Sequence, residues 1–315
     1  MSNLSLDITF ERHAYSCGNA KNLSRHGIIY TLAYLQTINP NLSDIGVMQT
    51  KQMKRAHGDK KSKKLSSYLN KIEVVCCSNL MRTMETAYLT YPNAKKIYVL
   101  PYVNEKFNRF LMALGLDLEN AQQNREITLE RMKELGYDIR KFDFSLITEI
   151  TGDKLVGPNI ELFLEKVVHD RWLNPESRFY LGKNGVKRVK VSVTTHSEWM
   201  VELLHLVRNK DQFYYDEPIY KPEHCREIVS PSVYQTRKVG NCSLTEITVR
   251  DRDVINFLKG NTALPPATRV YETEAIFDEA RNKCILLTDK KRIAKGQGHN
   301  SHVKRCPSNI RDMEM

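Results

Sequence analysis

Two histidines, two arginines and a glutamate follow segments of this sequence that have the pattern of β-strands. The stretch ERHAYSCGN comes directly after LSLDITF, whose alternating apolar and polar residues predict a half-buried strand, so Arg12 and His13 stand where that strand ends. Arg82 follows the apolar run IEVVCCS, and His196 follows the alternating run VKVSVTT. Glu105 comes shortly after IYVLPYV, a further predicted strand. Each predicted strand therefore delivers a chemically reactive or charged side chain at its end.

This set of residue types suits the transfer of a phosphoryl group. The guanidinium groups of Arg12 and Arg82 offer planar forks of donors that match phosphate oxygens. A neutral imidazole is a competent nucleophile toward phosphorus, and nearby arginine charge keeps the pKa of His13 low. His196 would donate to the transferring group, and Glu105 would protonate the leaving oxygen if burial or a phosphate neighbour raises its pKa.

Predicted helices separate the predicted strands. One helix is expected in NLSDIGVMQTKQMKR, with Ser43 as its N-cap, and others in LMRTMETAYLTY, NAQQNREITLERMKELGY, NIELFLEKVVHDRWL and SEWMVELLHLVR. Strands that alternate with helices predict an α/β fold with three layers, a mostly parallel sheet and helices on both faces. Ligands in such sheets bind beyond the carboxyl ends of the strands, so the five side chains should meet at one edge.

Several blocks of the sequence resemble motifs of one known family. RHAYSCGN resembles the signature RHGxSxxN of the histidine phosphatase superfamily, which includes cofactor-dependent phosphoglycerate mutases and many phosphatases. SNLMRTMETA resembles its SxLxRAxxTA, VTTHSEW its VxHGG, NLSDIGVMQT its LTxxGxxQA and NCSLTEI its N(A/C)SI(T/S). The blocks follow the family's order from about residue 8 to residue 249, and four motifs in order are far more specific than the pair RH alone. The resemblance implies a phosphoglycerate mutase-like fold.

The resemblance also implies a role for each matching residue. His13 corresponds to the histidine that is phosphorylated on a ring nitrogen, and Glu105 to the general acid. The family needs no metal, and we expect no cofactor. The resemblance implies catalytic functions for His13, Glu105 and His196 and phosphate-binding functions for Arg12, Arg82, Asn19 and Ser16.

The sequence departs from the family's pattern at two places. Ala14 replaces the glycine after the histidine, and Tyr15 follows it, where it would reshape or fill the mouth of the substrate pocket. Ser197 and Glu198 replace the small pair after His196. We expect both to stabilise the start of the next helix, whereas a Glu198 that faced the pocket would favour a cationic end of the substrate.

The activity that these residues favour is hydrolysis of a phosphomonoester through a phosphohistidine. The segment NEKFNRFLMALGLDLEN does not resemble the tryptophan- and glycine-containing continuation of the mutases, so mutase-type phosphoryl transfer is the alternative within the same chemistry. A second alternative is a catalytically weak relative that binds a polyanion or another partner. The substrate itself, beyond carrying a phosphoryl group, is not identified by the sequence.

Composition sets the class of protein. The chain has 315 residues, of which 41% are hydrophobic, enough for a packed core. It contains no run of about 18 apolar residues, and its first residues lack the pattern of a signal peptide, so we expect no transmembrane segment and a cytoplasmic location. The seven cysteines include no CxxC pair, and we expect them to be reduced thiols.

The formal net charge of +11 is concentrated in two basic segments, residues 51–64 and 290–305. They form either solvated surface or a contact with nucleic acid or another anionic surface.

We expect a catalytic domain over residues 1–250, with a cap over the pocket at 106–188, and a C-terminal extension at 251–315 that is disordered after about residue 289. KFDFSLITEITGDKLVGP and ALPPATRVY have loop character, DVINFLKG predicts a helix, and TEAIFDEARNKCILL predicts a helix followed by a strand.

Overall fold

The computed structural model describes residues 4–17, 39–55, 68–105, 121–152, 154, 156–213, 225, 239–272, 275–278 and 281–286. Most of the basic segment 51–64 and the whole region after residue 289, with the basic segment 290–305, lie outside these residues. In the part of the chain that is described, no helix is long and apolar enough to cross a membrane.

The strands of the described residues form one large sheet and one small hairpin. In chain order they are Ser5–Arg12 (β1), Val74–Cys77 (β2), Ile97–Val99 (β3), Phe142–Asp143 (β4), Arg188–Thr195 (β5), Leu244–Arg250 (β6), Ala267–Tyr271 (β7), Ala275–Asp278 (β8) and Lys283–Leu286 (β9). The large sheet has seven strands in the order β4-β3-β2-β5-β1-β6-β7, and β8 pairs with β9. The pairs among β1 to β5 are parallel, whereas β6 is antiparallel to both β1 and β7.

The helices connect and cover these strands. They are Asp44–Arg55 (α1), Met81–Thr90 (α2), Ala121–Glu134 (α3), Ser145–Thr151 (α4), Ile160–Leu162 (α5), which continues as a π-helix over Phe163–Leu173, Ser197–Leu206 (α6) and Asp251–Leu258 (α7). Short 3-10 turns occur at Ile139–Lys141, Lys183–Gly185 and Lys210–Phe213. The hydroxyl oxygen of Ser43 accepts the backbone N–H of Gly46 at 3.2 Å, which confirms the expected N-cap of α1.

Each face of the sheet has its own hydrophobic core. On one face, Phe10 of β1 packs against Phe163 and Trp199, with ring centroids 6.2 and 5.1 Å apart. On the other face, α1 and α2 contribute buried residues such as Met53 and Met84 to a second cluster. Helices therefore cover both faces of a mostly parallel sheet, and the expected three-layer α/β fold is confirmed.

Three local predictions were wrong. The segment expected as a loop after Lys141 contains β4 and α4, and the segment ALPPATRVY contains β7, which pairs with β6. Ala275–Asp278 is a strand, β8, where the sequence pattern predicts a helix, because pairing with β9 and packing of Ile276 and Ile285 on Ile45 of α1 outweigh the local preference. The sheet thus extends beyond residue 250.

The cysteines also depart from the prediction of seven reduced thiols. Cys225 and Cys284 form a disulfide, with Cα atoms 5.5 Å apart, and Cys17 is disulfide-bonded as well. Cys76 and Cys77 are free and buried. Residues 225 and 284 are 59 positions apart, and only the folded chain brings them together.

Candidate active site

The carboxyl ends of the three neighbouring strands β2, β5 and β1 meet at one edge of the sheet. The backbone N–H of His13, just past β1, donates to the carbonyl of Thr195 at the end of β5. The N–H of Ser78, just past β2, donates to the carbonyl of Thr194. Parallel pairing therefore fixes the distance between the segments that carry His13 and His196.

His13 is held in one tautomer. Its Nδ1 lies 2.7 Å from the carbonyl oxygen of Ala14, an acceptor, so Nδ1 carries the proton and donates to it. The other ring nitrogen, Nε2, is left with its lone pair. This side chain is only 2% exposed, so little solvent competes for that nitrogen.

Helices α1 and α2 fix the loop that follows the histidine. The N–H of Ala14 donates to the hydroxyl of Thr86 at 3.0 Å, and the N–H of Tyr15 donates to the side-chain oxygen of Gln49 at 2.7 Å. A side chain on Gly46 would not fit here, because a Cβ atom would lie 2.2 Å from the Tyr15 carbonyl oxygen. The loop is therefore positioned by packed helices.

The turn that begins β6 supports the same loop from the other side. Asn241 donates from Nδ2 to the carbonyl of His13 at 2.8 Å. The backbones of Arg12 and Cys242 bond as well, from Cys242 N–H to the Arg12 carbonyl at 2.9 Å. Cys242 has a φ of 56°, in the left-handed region that such a tight turn requires.

Arg82 lies at the centre of the cluster. It is the second residue of α2, and it points its guanidinium into the space between the strand ends. Nε donates to Nε2 of His13 at 3.3 Å, and one Nη donates to Nδ1 of His196 at 3.2 Å and to Glu105 Oε2 at 3.4 Å. One guanidinium therefore contacts all three residues predicted to be catalytic, His13, Glu105 and His196.

His196 is fully buried and is oriented by a pair of hydroxyl groups. Its Nε2 lies 2.9 Å from Ser78 Oγ. Its Nδ1 lies 3.2 Å from an Nη of Arg82 and 3.3 Å from Oε2 of Glu105, where the ring can accept from the arginine or donate to the carboxylate. Ser78 in turn lies 2.8 Å from the hydroxyl of Thr83. The two imidazole rings have centroids 5.2 Å apart, so His13 and His196 face one small space.

Both histidines have low pKa values. Burial lowers the pKa of His13 well below its usual value, and the charges of Arg82 and Arg12 lower it further. Burial and Arg82 likewise lower the pKa of His196 to about 4, although Glu105 opposes this shift. Both rings are neutral at pH 7, which leaves Nε2 of His13 available as a nucleophile.

Glu105 is ionised in this arrangement. Burial alone would raise its pKa, but His196, Arg82 and Arg12 outweigh burial and lower the pKa to about 2. At pH 7, where His196 is neutral, its contact with Glu105 at 3.3 Å and the charges of the two arginines keep the carboxylate ionised. The raised pKa that a general acid needs is therefore absent before a substrate binds. Oxygen Oε1 of Glu105 is buried and accepts no hydrogen bond from the described residues.

Arg12 contributes a second cation. Its Nη1 donates to the carbonyl of Val239 at 2.5 Å, and its Nε is buried with no acceptor among the described residues. Burial lowers its pKa to about 10, so it stays protonated at neutral pH. Arg12 thus offers an unused donor beside the space between the histidines.

The cluster favours an anion over a metal ion. His13, Glu105 and His196 are residue types that bind metals, and their ligand atoms lie within 4.8 Å of one another. Arg82, however, already donates to each of the three. Its positive charge at the centre repels a cation and attracts a phosphoryl group.

The remaining predicted residues have separate outcomes. Asn19 lies outside the described residues. Ser16 is buried and its backbone bridges to Leu42, and its phosphate-binding role stays a prediction. Ser197 is not the N-cap of α6, because His196 occupies that position, and its buried Oγ has no hydrogen-bond partner in the described part of the chain. Glu198 is exposed in the first turn of that helix, where a negative charge is favourable.

Two supporting residues were missed by sequence reasoning. Thr86 and Gln49 hold the backbone of the loop after His13, and nothing in their local pattern distinguishes them from other helical polar residues. The motif blocks LTxxGxxQA and SxLxRAxxTA contain both positions, which is the one signal that could have identified them.

No family model and no curated protein matches this chain. Among solved structures it is similar to mycobacterial hydrolase 2, with 12% identity and a TM-score of 0.40 over 94% of this chain and 99% of that one. It is also similar to phosphoglycerate mutase from Bacillus anthracis, with 14% identity and a TM-score of 0.34 over 94% and 98%. Phosphoserine phosphatase from Entamoeba histolytica shares 15% identity, with a TM-score of 0.34 over 77% and 90%.

These are distant similarities, at 12 to 15% identity. The sheet order, the two histidines at neighbouring strand ends and the arginine between them are observations on this chain alone.

Proposed function

We propose that this protein is a phosphomonoesterase of the histidine phosphatase superfamily, in which His13 is transiently phosphorylated. The observation that carries the proposal is the position of Nε2 of His13, an unprotonated nitrogen held 3.3 Å from the guanidinium of Arg82. A nucleophile beside a donor fork is what transfer of a phosphoryl group requires.

In the first step, Nε2 of His13 attacks phosphorus, the P–N bond forms, and the P–O bond to the leaving group breaks. Arg82 exchanges its contact with Nε2 for contacts with phosphoryl oxygens, and Arg12 supplies its unused Nε–H. His196 presents Nδ1, the ring nitrogen that faces Arg82 and Glu105, and donates from it when it carries the proton. These donors stabilise the charge on the equatorial oxygens as bonds to phosphorus lengthen and form.

The leaving oxygen must receive a proton, and Glu105 is the group placed to deliver it. Its carboxylate is ionised in the free protein, so the proton must arrive with the substrate. The second pKa of a phosphomonoester is about 6, so the substrate monoanion carries one. A bound phosphoryl group also offsets the charges of Arg82 and Arg12, which raises the pKa of Glu105 and lets the proton move to it.

In the second step, water attacks the phosphohistidine. Glu105, which has given its proton to the leaving group, is now a carboxylate and accepts a proton from that water. The P–N bond breaks, inorganic phosphate leaves, and His13 returns to its neutral form. A mutase would differ only here, because a hydroxyl of a second substrate would take the place of water.

The test is a screen of phosphorylated metabolites and phosphopeptides with His13→Ala as the matched control. We expect release of inorganic phosphate by the wild-type protein and none above background by the variant. Equal activity in both proteins would contradict the proposal. Exchange of the phosphoryl group between two substrates without release of phosphate would indicate mutase-type transfer.

A second arm of the same experiment addresses the alternative of a binding protein. If the chain binds polyanions without turning over a phosphomonoester, its affinity for nucleic acid should fall steeply with salt. Such binding with no phosphate release in the whole screen would favour that alternative over the enzyme.

A further inference from the structure

A buried carboxyl group lies directly behind the candidate active site. Glu11, the residue before Arg12 in β1, is fully buried on the face of the sheet that α2 covers. Hydrophobic side chains occupy the opposite face of the same strand, at Leu6, Ile8 and Phe10. A carboxyl group is costly to bury, so its retention here calls for partners.

Those partners come from the two other elements that build the site. Glu11 Oε1 accepts a hydrogen bond from the hydroxyl of Thr90, the last residue of α2, at 3.2 Å. Oε2 accepts from the hydroxyl of Thr194 of β5, also at 3.2 Å. Glu11 and Thr194 are direct partners in the parallel register of β1 and β5.

Each of these three elements carries one member of the cluster. Arg12 and His13 follow Glu11, Arg82 is on the helix that ends at Thr90, and His196 comes two residues after Thr194. The carboxyl group is thus the common point of contact between the strand of the nucleophile, the helix of the central arginine and the strand of the second histidine.

We propose that Glu11 is a positioning residue for the phosphoryl transfer, and that its carboxyl group, bonded to Thr90 and Thr194, holds β1, α2 and β5 in the register that brings His13, Arg82 and His196 together. The inference rests on the proposed function. It concerns a residue that does not touch the reacting atoms and acts through the elements that carry them.

The surroundings of Glu11 favour the uncharged form. The groups that face it are hydroxyls of Thr90, Thr194 and Tyr91, together with the buried thiol of Cys242. No cationic side chain of the described residues lies within ion-pair distance of it. Burial raises its pKa to about 8, and the hydrogen bonds from Thr194 and Thr90 only partly oppose this.

Above about pH 8, ionisation of Glu11 places an unpaired negative charge between β1, α2 and β5. The charge would draw water or force the threonine hydroxyls and the strands to adjust, and small displacements of catalytic groups reduce rates strongly. Tyr91 and Cys242 do not titrate in the same range, because burial raises the pKa of each and Glu11 raises both further. The loss of activity at alkaline pH should therefore follow the ionisation of Glu11.

The experiment compares wild-type, Glu11→Gln and Glu11→Leu proteins of full length, with a substrate found in the screen or with p-nitrophenyl phosphate. At pH 6.5 we expect Glu11→Gln to keep kcat within about threefold, since an amide can accept from one threonine and donate to the other. Glu11→Leu should lower kcat by about 100-fold with a smaller change in KM, because geometry at the reacting centre is lost.

The decisive readout is the ratio of wild-type to Glu11→Gln activity between pH 6.5 and 9.5. Ionisation of the substrate affects both proteins equally and cancels in this ratio. We expect the ratio to fall with a midpoint near pH 8, since the amide cannot ionise.

Glu85→Gln is the matched control. Glu85, on α2, is also fully buried, and burial raises its pKa to about 8 as well. It accepts a hydrogen bond from the backbone N–H of Leu42, and not from the hydroxyls of Thr90 and Thr194. The ratio of wild-type to Glu85→Gln activity should be flat over the same range.

The outcomes separate this inference from the proposed function. A flat ratio for Glu11→Gln, an equal fall for Glu85→Gln, or unchanged kcat in a folded Glu11→Leu protein would overturn the positioning role while His13→Ala stays inactive. Full activity of His13→Ala would overturn the proposed function whatever the ratios. If Glu11→Leu does not fold, as measured by circular dichroism, the two Gln variants still decide the question.

Discussion

The guanidinium Nε of Arg82 lies 3.3 Å from Nε2 of His13, and the same side chain reaches His196 and Glu105. An arginine, two imidazoles and a carboxylate from four separate segments thereby form one cluster. The arginine holds the cluster together, and in the proposed mechanism it exchanges these contacts for contacts with phosphoryl oxygens.

Removal of Arg82 should therefore affect catalysis more than any other single donor. We expect Arg82→Ala to lower kcat/KM by about 10²- to 10³-fold, the usual cost of one transition-state donor. Arg82→Lys should recover little, because an ammonium group lacks the fork that spans three partners. Arg140→Ala, which removes an exposed arginine paired with Asp138, is the control and should leave kcat/KM unchanged. Steady-state kinetics of the three variants test this.

Replacement of Glu105 should produce a defect that depends on the leaving group. We expect Glu105→Gln to lower kcat/KM for alkyl phosphates by about 10²- to 10⁴-fold, since their leaving oxygens need a proton. p-Nitrophenyl phosphate, whose leaving group is stable as an anion, should be affected much less. Equal losses for both kinds of substrate would argue that Glu105 acts only by holding Arg82 and His196.

Gly46 allows α1 to approach the loop that carries the nucleophile. Ala is normally the better helix residue by up to about 1 kcal/mol, but a Cβ here would lie 2.2 Å from the backbone oxygen of Tyr15. We expect the clash to outweigh the helix propensity, so that Gly46→Ala lowers both the melting temperature and kcat. A variant that melts higher than the wild type with normal kcat would show that the loop is not held as described.

The stability of the protein should fall as pH rises from about 6.5 to 8. The folded-state pKa values of Glu11 and Glu85 are raised from 4.5 to about 8, so the folded state binds more protons than the unfolded state in this window. Each carboxyl then removes about 1.4 kcal/mol per pH unit. His13 and His196, whose pKa values are lowered, act in the opposite direction only below pH 6.5. Urea unfolding at several pH values measures the slope, and Glu85→Gln should make it shallower.

Most of the cluster could be predicted from sequence because each member follows a strand or begins a helix with a clear pattern. His13, Arg82 and His196 stand at such positions. The parallel pairing of β1, β2 and β5 then brings the ends of these segments to one edge of the sheet. The charge of Glu105 could not be predicted, since its pKa depends on the distances to Arg82 and Arg12 in the folded chain. For the same reason, the contact between Glu11 of β1 and Thr90 of α2 could not be predicted from the sequence.

The edges of the fold were predicted less well. Strands β4 and β7 are short, and their existence depends on neighbours that are distant in sequence, as in the pairing of Leu244 with Tyr271. The disulfide between Cys225 and Cys284 has the same origin, because its formation depends on a contact across 59 positions. Local pattern carries no information about either.

The central claim is that His13 becomes phosphorylated during turnover. Its most direct test is to mix the protein with substrate, quench it rapidly in alkali to preserve the P–N bond, and identify the modified peptide by mass spectrometry. We predict one phosphoryl group on the peptide that contains His13, and none on the same peptide of His13→Ala. Steady turnover with no phosphorylated peptide, or with the phosphoryl group on another residue, would contradict the account.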